Sequence, residues 1–368
     1  MASTPLQQLN EYGQSVWVDF LSRTFIEDGD LAGLVEDGVH GVTSNPTIFQ
    51  GAIAEGDAYD EQLKEVLENE REPKEIFLAL AVRDIQAACD VLESVHEEAS
   101  ARDGWVSLEV DPNLAHDTEG TIAEAKRLSE LVDRRNLLVK IPATKEGLPA
   151  IEEAIASGIP INVTLIFSLD RHREVAEAYV RGLQRYVDGG GDPTGIASVA
   201  SFFVSRVDTE TDKRLDELGG HDELKGKLAI ANAKLAYQVY KEIFSGDRWD
   251  ALAAKGASVQ RPLWASTSTK NEAYKDTIYV EELVGPETVN TMPRELVEAV
   301  LDHGDIRGNT IEEDVEGARK VLEDLKAAGI DYDDVTETLE REGVEKFAKS
   351  FKELFSDVES KRDELVAA

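Results

Sequence analysis

The sequence predicts an α/β protein built as a closed (β/α)8 barrel, with extra helices at its C-terminal end. Three observations carry this. Eight short apolar segments of strand character occur along the chain, and nearly all are separated by stretches of helical periodicity. No neighbouring pair carries a tight hairpin signal such as Asn-Gly, so the strands run parallel with helical crossovers. Eight such repeats suggest closure into a barrel rather than an open sheet.

In chain order, residues 1–15 are polar and include a short helix, and Val16–Phe20 is the first strand, with Asp19 near its C-terminal end. A helical stretch then runs to Gly38, and Gly41–Asn45 is the second strand, stopped by Pro46 because the residue before proline avoids the helical region. Two long helices fill about 57–98, the second starting after Pro73; Trp105–Val110 is the third strand, with Glu109 near its end. A helix at 118–133 leads to Asn136–Thr144, NLLVKIPAT, in which Leu137, Leu138, Val139 and Ile141 form an apolar run interrupted by Lys140. After a helix ending at Gly158 comes Pro160–Phe167, where Asn162 and Thr164, two apart, share a side. Ser168 caps a helix that runs to Val187, Ile196–Phe203 is the sixth strand, and a helical region spans 223–244. Arg261–Ser266 is the seventh strand and Thr277–Val280 the eighth. Four helical stretches fill 293–366, the last with Val344, Phe347, Phe351, Leu354, Phe355 and Val358 on one apolar stripe. No Pro/Gly/Ser linker divides the chain, so residues 1–368 read as one domain, with 293–368 its C-terminal helical part.

Composition narrows the function classes. The net charge is −35, from 74 acidic and 39 basic residues, which disfavours nucleic acid or an anionic membrane as partner. Acids and bases intersperse along helical patterns, the mark of a solvated surface. No apolar run reaches the roughly 18 residues of a membrane span, and the N-terminus lacks a signal-peptide pattern. The single cysteine, Cys89, shares a helical stripe with Val82, Ile85 and Leu92 and reads as core; it excludes an intramolecular disulfide and a multi-thiolate metal site. A cytoplasmic protein, monomer or homodimer, is the expectation. Gly189–Gly195 follows a helix and lacks the GxGxxG order, Asn162-Val163-Thr164 is an accidental sequon in a buried strand, and the six histidines are far apart, so dinucleotide and metal sites are disfavoured.

In a parallel barrel the strand C-termini share one rim, where barrel enzymes place their sites. Asp19, Asn45, Glu109, Lys140, Asn162, Thr164, Ser201 and Ser266 would therefore meet in one cup. Each has a bland alternative: a turn cap for Asp19, a pre-proline turn for Asn45, a solvated strand end for Glu109 or Lys140, a plain β residue for Thr164. One site explains them together. Burial disfavours an ammonium ion, and a neutral lysine attacks carbonyls. Two carboxylates, Asp19 and Glu109, can divide the proton transfers of Schiff-base chemistry, in which the iminium is the electron sink and neither metal nor cofactor is required.

The segments GVTSNPTIF, VSLEVDP, LLVKIPAT, INVTLIFS, ASFFVSRVD and WASTSTKN resemble, in order and spacing, the signature segments of the transaldolase family, across about residues 14–293. The length and WASTSTKN are similar to its longer bacterial branch. The resemblance implies a class I aldolase barrel. It also implies transfer of a dihydroxyacetone unit from a ketose phosphate (sedoheptulose 7-phosphate or fructose 6-phosphate) to an aldose phosphate, in the non-oxidative pentose phosphate pathway. It implies Lys140 as the Schiff-base lysine, Asp19 as the base for the C4 hydroxyl, and Glu109 as the acid/base working through a water held with Thr164. Asn45 and Asn162 would hold the dihydroxyacetone unit, Ser201 and Phe203 would line the pocket, and Arg206 and Ser266 would bind phosphate. Shorter members carry another arginine just after the seventh strand; Ser268 stands near that place here, and the second cation falls to Lys270. Against a charge of −35, phosphate entry needs a local positive focus, assigned to Arg206, Lys270 and Arg23. Without the resemblance, Arg206 would read as a surface ion pair with Asp208.

Overall fold

Strands β1 (Gln14–Val18), β2 (Val39–Val42), β3 (Trp105–Glu109), β4 (Leu137–Pro142), β5 (Ile161–Ile166), β6 (Ser198–Phe203), β7 (Gln260–Ala265) and β8 (Thr288–Met292) pair in sequence order, all parallel, and β8 closes on β1. This is the (β/α)8 barrel, seen in a computed structural model that describes residues 3–54 and 57–367. Helices follow the strands and pack outside them, and one continuous apolar core joins strands and helices.

Local chemistry sets many of the boundaries. Ser168 accepts from the Arg171 amide and caps Leu169–Asp188, and Pro73 opens Pro73–Val91 at the first helical turn, where its missing N–H costs nothing. Gly38, at φ 115°, ends Asp30–Asp37 in the left-handed region. Cys89 is a free, fully buried core residue. No helix among the described residues is long and apolar enough to cross a membrane.

Two assignments are corrected. The eighth strand is Thr288–Met292, not Thr277–Val280, which lies at the start of the short helix Ile278–Glu281. Thr277 and Tyr279 are buried for another reason: Thr277 donates to Glu281 (2.8 Å) and Tyr279 to Asp208 (2.7 Å). The real β8, TVNTM, looks too polar for a strand, but its hydroxyl groups and the Asn290 side-chain oxygen find partners inside the barrel. Thr288 bonds Gly285 and Gln14, and Asn290 accepts from Thr267. Second, Pro46 opens a helix, Pro46–Ala54, that the sequence reading left out, with the Asn45 side-chain oxygen accepting from the Thr47 and Ile48 amides (3.0 and 3.1 Å). The four C-terminal helical stretches are Arg294–His303, a 3-10 turn at Thr310–Glu312, Val315–Ala328 and the long helix Tyr332–Ala367, which carries the last stripe as expected.

Candidate active site

Register places the central residues. Glu109 of β3 pairs with Lys140 of β4, and Lys140 with Asn162 of β5, so three polar side chains stand abreast and face the barrel interior. Lys140 Nζ lies 3.3 Å from Glu109 Oε2 and donates to the Ser44 carbonyl at 3.1 Å. Both side chains are enclosed, at 6% and 4% exposed. Burial pushes the Glu109 carboxyl up to about 7; the nearby Lys140 opposes the shift and Asp19 adds to it. A carboxyl titrating there can both take and return a proton at neutral pH. Glu109 Oε2 and Thr164 Oγ1 are buried without a hydrogen-bond partner among the described residues, an arrangement suited to a reacting molecule rather than to a finished core.

Asn162 is fully enclosed. Its amide nitrogen donates to Ser107 (3.0 Å) and its oxygen accepts from Ser201 (2.7 Å), which fixes the flanking strands. Above it opens a cavity of about 250 Å3, walled by Asp19, Asn45, Lys140, Thr164, Ser201, Phe203, Arg206, Ser266 and Lys270 among others. Asp19 sits one residue past β1. Its Oδ1 accepts from Thr43 (2.6 Å), and since that proton is used, the 2.7 Å contact between Thr43 and Thr291 has Thr291 as donor. Asn45 spends its oxygen on the helix cap and keeps its amide hydrogens for the cavity side. Ser266 adopts φ 56° just beyond β7 and contacts the Ser205 hydroxyl at 2.9 Å.

The far wall is cationic. Arg206 follows β6 and stacks over the Phe203 ring at 5.1 Å; Lys270 donates to Ser268 at 2.9 Å. Burial and neighbouring positive charge push Lys270 down, and burial pushes Arg206 down against the pull of Asp19. Arg206 is not paired with Asp208, which is buried and held instead by the Ala229 amide and Tyr279. Arg23 does not reach this cavity. It is 5% exposed and bound to Asp84 (2.8 Å), Gln62 and the Tyr59 ring, because its place on Arg23–Glu27 faces the helix Pro73–Val91.

Sequence reasoning did not assign several wall residues, among them Thr43, Thr291, Lys346 and Phe347, and it noted Ser268 only as standing where shorter relatives carry an arginine. Thr291 was hidden by the misplaced eighth strand. Phe347 was read as core, and it is 6% exposed, but its ring also lies 5.6 Å from Lys140 Nζ. The Lys346-Phe347 pair on an otherwise regular apolar stripe was the available signal.

Comparison with known proteins agrees with this site. The family model described as Transaldolase/Fructose-6-phosphate aldolase matches residues 16–358, extending into the C-terminal helix. The chain is 52% identical to Transaldolase 1 of Streptomyces coelicolor over 361 residues, covering 97% of this chain and 95% of the relative. It is 54% identical to the transaldolase of Acidothermus cellulolyticus, covering 96% of each chain. With that of Mycolicibacterium smegmatis it shares 50% identity over 99% of both. The barrel, the enclosed Lys140–Glu109 pair and these full-length likenesses together make the chain a member of the transaldolase/fructose-6-phosphate aldolase family.

Proposed function

We propose that Lys140 carries the donor sugar as a Schiff base in a transaldolase reaction, and the observation that supports this most is the enclosed Lys140–Glu109 contact at 3.3 Å, with Lys140 lining the cavity. The activity is transfer of a dihydroxyacetone unit between sugar phosphates. The Lys140 amine attacks the C2 carbonyl of sedoheptulose 7-phosphate or fructose 6-phosphate. Glu109 supplies the proton with which the carbinolamine hydroxyl leaves as water, by way of a water held with Thr164. Asp19, steadied by Thr43, takes the proton of the C4 hydroxyl. The C3–C4 bond breaks, its electrons pass to the iminium, and the shortened aldose phosphate departs. The enamine left on Lys140 then attacks the acceptor aldehyde, glyceraldehyde 3-phosphate or erythrose 4-phosphate. Reversal of the first steps frees the new ketose phosphate.

In this reading Asn45 binds the dihydroxyacetone hydroxyls directly and Asn162 works from beneath, through Ser201 and Ser107. Phe203 and Arg206 form one stacked unit, and Arg206, Ser266 and Lys270 face the phosphate. The barrel and its C-terminal helices act as one domain of residues 1–368, supported by the shared core. The chemistry uses side chains alone. The single buried cysteine and the acidic surface suit a cytoplasmic enzyme of the pentose phosphate pathway.

Incubation with fructose 6-phosphate followed by borohydride is expected to leave a reduced three-carbon adduct on Lys140, found by peptide mass, and Lys140→Ala to show neither adduct nor turnover. An adduct on another lysine would refute the assignment. Omitting the acceptor separates the two activities in the family's description: a transferase stalls after one adduct per chain, whereas an aldolase releases free dihydroxyacetone.

A further inference from the structure

The helix Tyr332–Ala367 crosses the mouth of the barrel and is tied down on both sides. At its start the Tyr332 hydroxyl donates to Asn232 (2.7 Å) and accepts from the Leu169 amide (3.0 Å), beyond β5. Farther along, Ser350 accepts from Thr47 (2.9 Å) and Asp357 from Gln50 (3.1 Å), both on Pro46–Ala54 after β2. Phe77 meets Phe351 edge to face at 5.6 Å. Between these anchors Gly343, Lys346, Phe347 and Ser350 fall at i, i+3, i+4 and i+7 and share one face.

The barrel is shaped to receive that face. Immediately after Thr164, Leu165 adopts φ 60°, and the pairing of β5 with β6 shifts register between Val163 and Ile166. A bulky residue in the left-handed region is strained backbone. The Leu165 side chain meets the helix at Gly343, where an added Cβ would stand 3.0 Å from Leu165 Cδ2. This close approach sets the next turn of the helix, Lys346 and Phe347, against the cavity wall.

Arg206, Lys270 and Lys346 then line one cavity, and among the described residues none of the three forms an ion pair with a carboxylate. In a chain with 74 acidic and 39 basic residues, three unpaired cations around one cavity mark a place kept for an anion. The Arg206 charge, then burial, then Lys270 push the Lys346 ammonium down, so an arriving anion relieves a repulsion already present.

We propose that Lys346, delivered by the C-terminal helix, is a third phosphate-binding cation of this site, so that recognition of the phosphorylated end of the sugar depends on the docking of that helix. The proposal rests on the sugar-phosphate reading of the cavity. Lys346 is a binding residue here; it takes no part in proton transfer.

The test compares Lys346→Gln, Lys346→Arg and Lys349→Gln, the last an exposed lysine one turn away. It reads KM and kcat for fructose 6-phosphate with erythrose 4-phosphate, and inhibition by inorganic phosphate. Lys346→Gln is expected to raise KM and the phosphate inhibition constant together by about five- to twentyfold, with kcat within about twofold, as for loss of a charge-assisted contact. Lys346→Arg restores most of both values, and Lys349→Gln changes neither. Unchanged KM and phosphate inhibition in Lys346→Gln overturn the proposal, as does a loss of kcat that Lys346→Arg fails to rescue. Absence of a borohydride adduct in the wild-type chain instead overturns the reading of the site, while the phosphate titration still reports on Lys346.

Discussion

At the base of the barrel Asp103 is held by Ser15, by Trp17 Nε1 at 2.8 Å, by Arg261 at 3.6 Å and by His40 at 3.5 Å; at the rim Glu109 Oε2 has Lys140 Nζ at 3.3 Å and, among the described residues, accepts no hydrogen bond. Burial alone would raise both carboxyls. At the base, Arg261 and the hydrogen bonds from His40 and Ser15 outweigh it and hold Asp103 below the usual carboxylate range. At the rim, burial wins and Glu109 rises to about 7. The same residue chemistry is thus spent on stability at one end and kept available at the other, and the number of satisfied oxygens decides which. The cations divide likewise: Arg261 is bonded to Ser15 (2.7 Å), whereas Arg206 stacks on the Phe203 ring and, among the described residues, forms no ion pair.

The comparison is broken most directly at Glu109. Glu109→Gln is expected to lose roughly 10²–10⁴ in kcat while the chain stays folded, and the limb near pH 7 in the rate profile should vanish. A variant with near-normal turnover would remove Glu109 from the proton transfers. Asp103→Asn should do the reverse. Stripping one partner from a buried charged network costs about 3–5 kcal/mol, read as a lower urea midpoint, with turnover of the folded fraction unchanged. A large loss of kcat at unaltered stability would mean that the base takes part in the chemistry.

The two carboxyls also predict opposite slopes of stability with pH. Glu109 titrates near 7 when folded and near its ordinary 4.5 when unfolded. Between those values the folded chain holds a proton the unfolded chain has released, so stability rises as pH falls. Asp103 lies below its ordinary 3.8 when folded, so its contribution is complete above that value and is lost as pH falls through the folded one. Urea midpoints between about pH 8 and pH 3 should show the first slope weakened in Glu109→Gln and the acid-side fall weakened in Asp103→Asn. Identical profiles in both variants would erase the distinction. The smallest effect concerns the unpaired rim cations. If they focus the field locally, kcat/KM falls by less than about tenfold as salt rises from about 0.05 to 0.5 M. A rise would show that the charge of −35 governs approach instead.

Much of the rim could be read in the sequence. Lys140, Glu109 and Thr164 each interrupt an apolar strand in its C-terminal half, and parallel strands alternating with helices bring such ends together whatever the loops between them; Asn162, second in β5, lies a layer deeper. Asp19, Asn45, Ser201, Phe203, Arg206, Ser266 and Lys270 reach the same cavity by that rule. Local periodicity and capping set most element boundaries within a residue or two, because they depend on neighbours in the chain. What failed depended on distant partners. TVNTM closes the barrel with Gln14 bonded to Thr288 and Thr267 to Asn290, and the more apolar TIYV is buried by Asp208 instead. Arg23 is drawn inward by Asp84. Lys346 and Phe347 look like any turn of an amphipathic helix until Leu165 and Gly343 fix where that helix lies. The chain alone therefore determined the barrel and the amine at its centre. The folded arrangement decided which carboxyl is left short of hydrogen bonds and which cations stay unpaired, since burial and charge pairing are properties of neighbours in space.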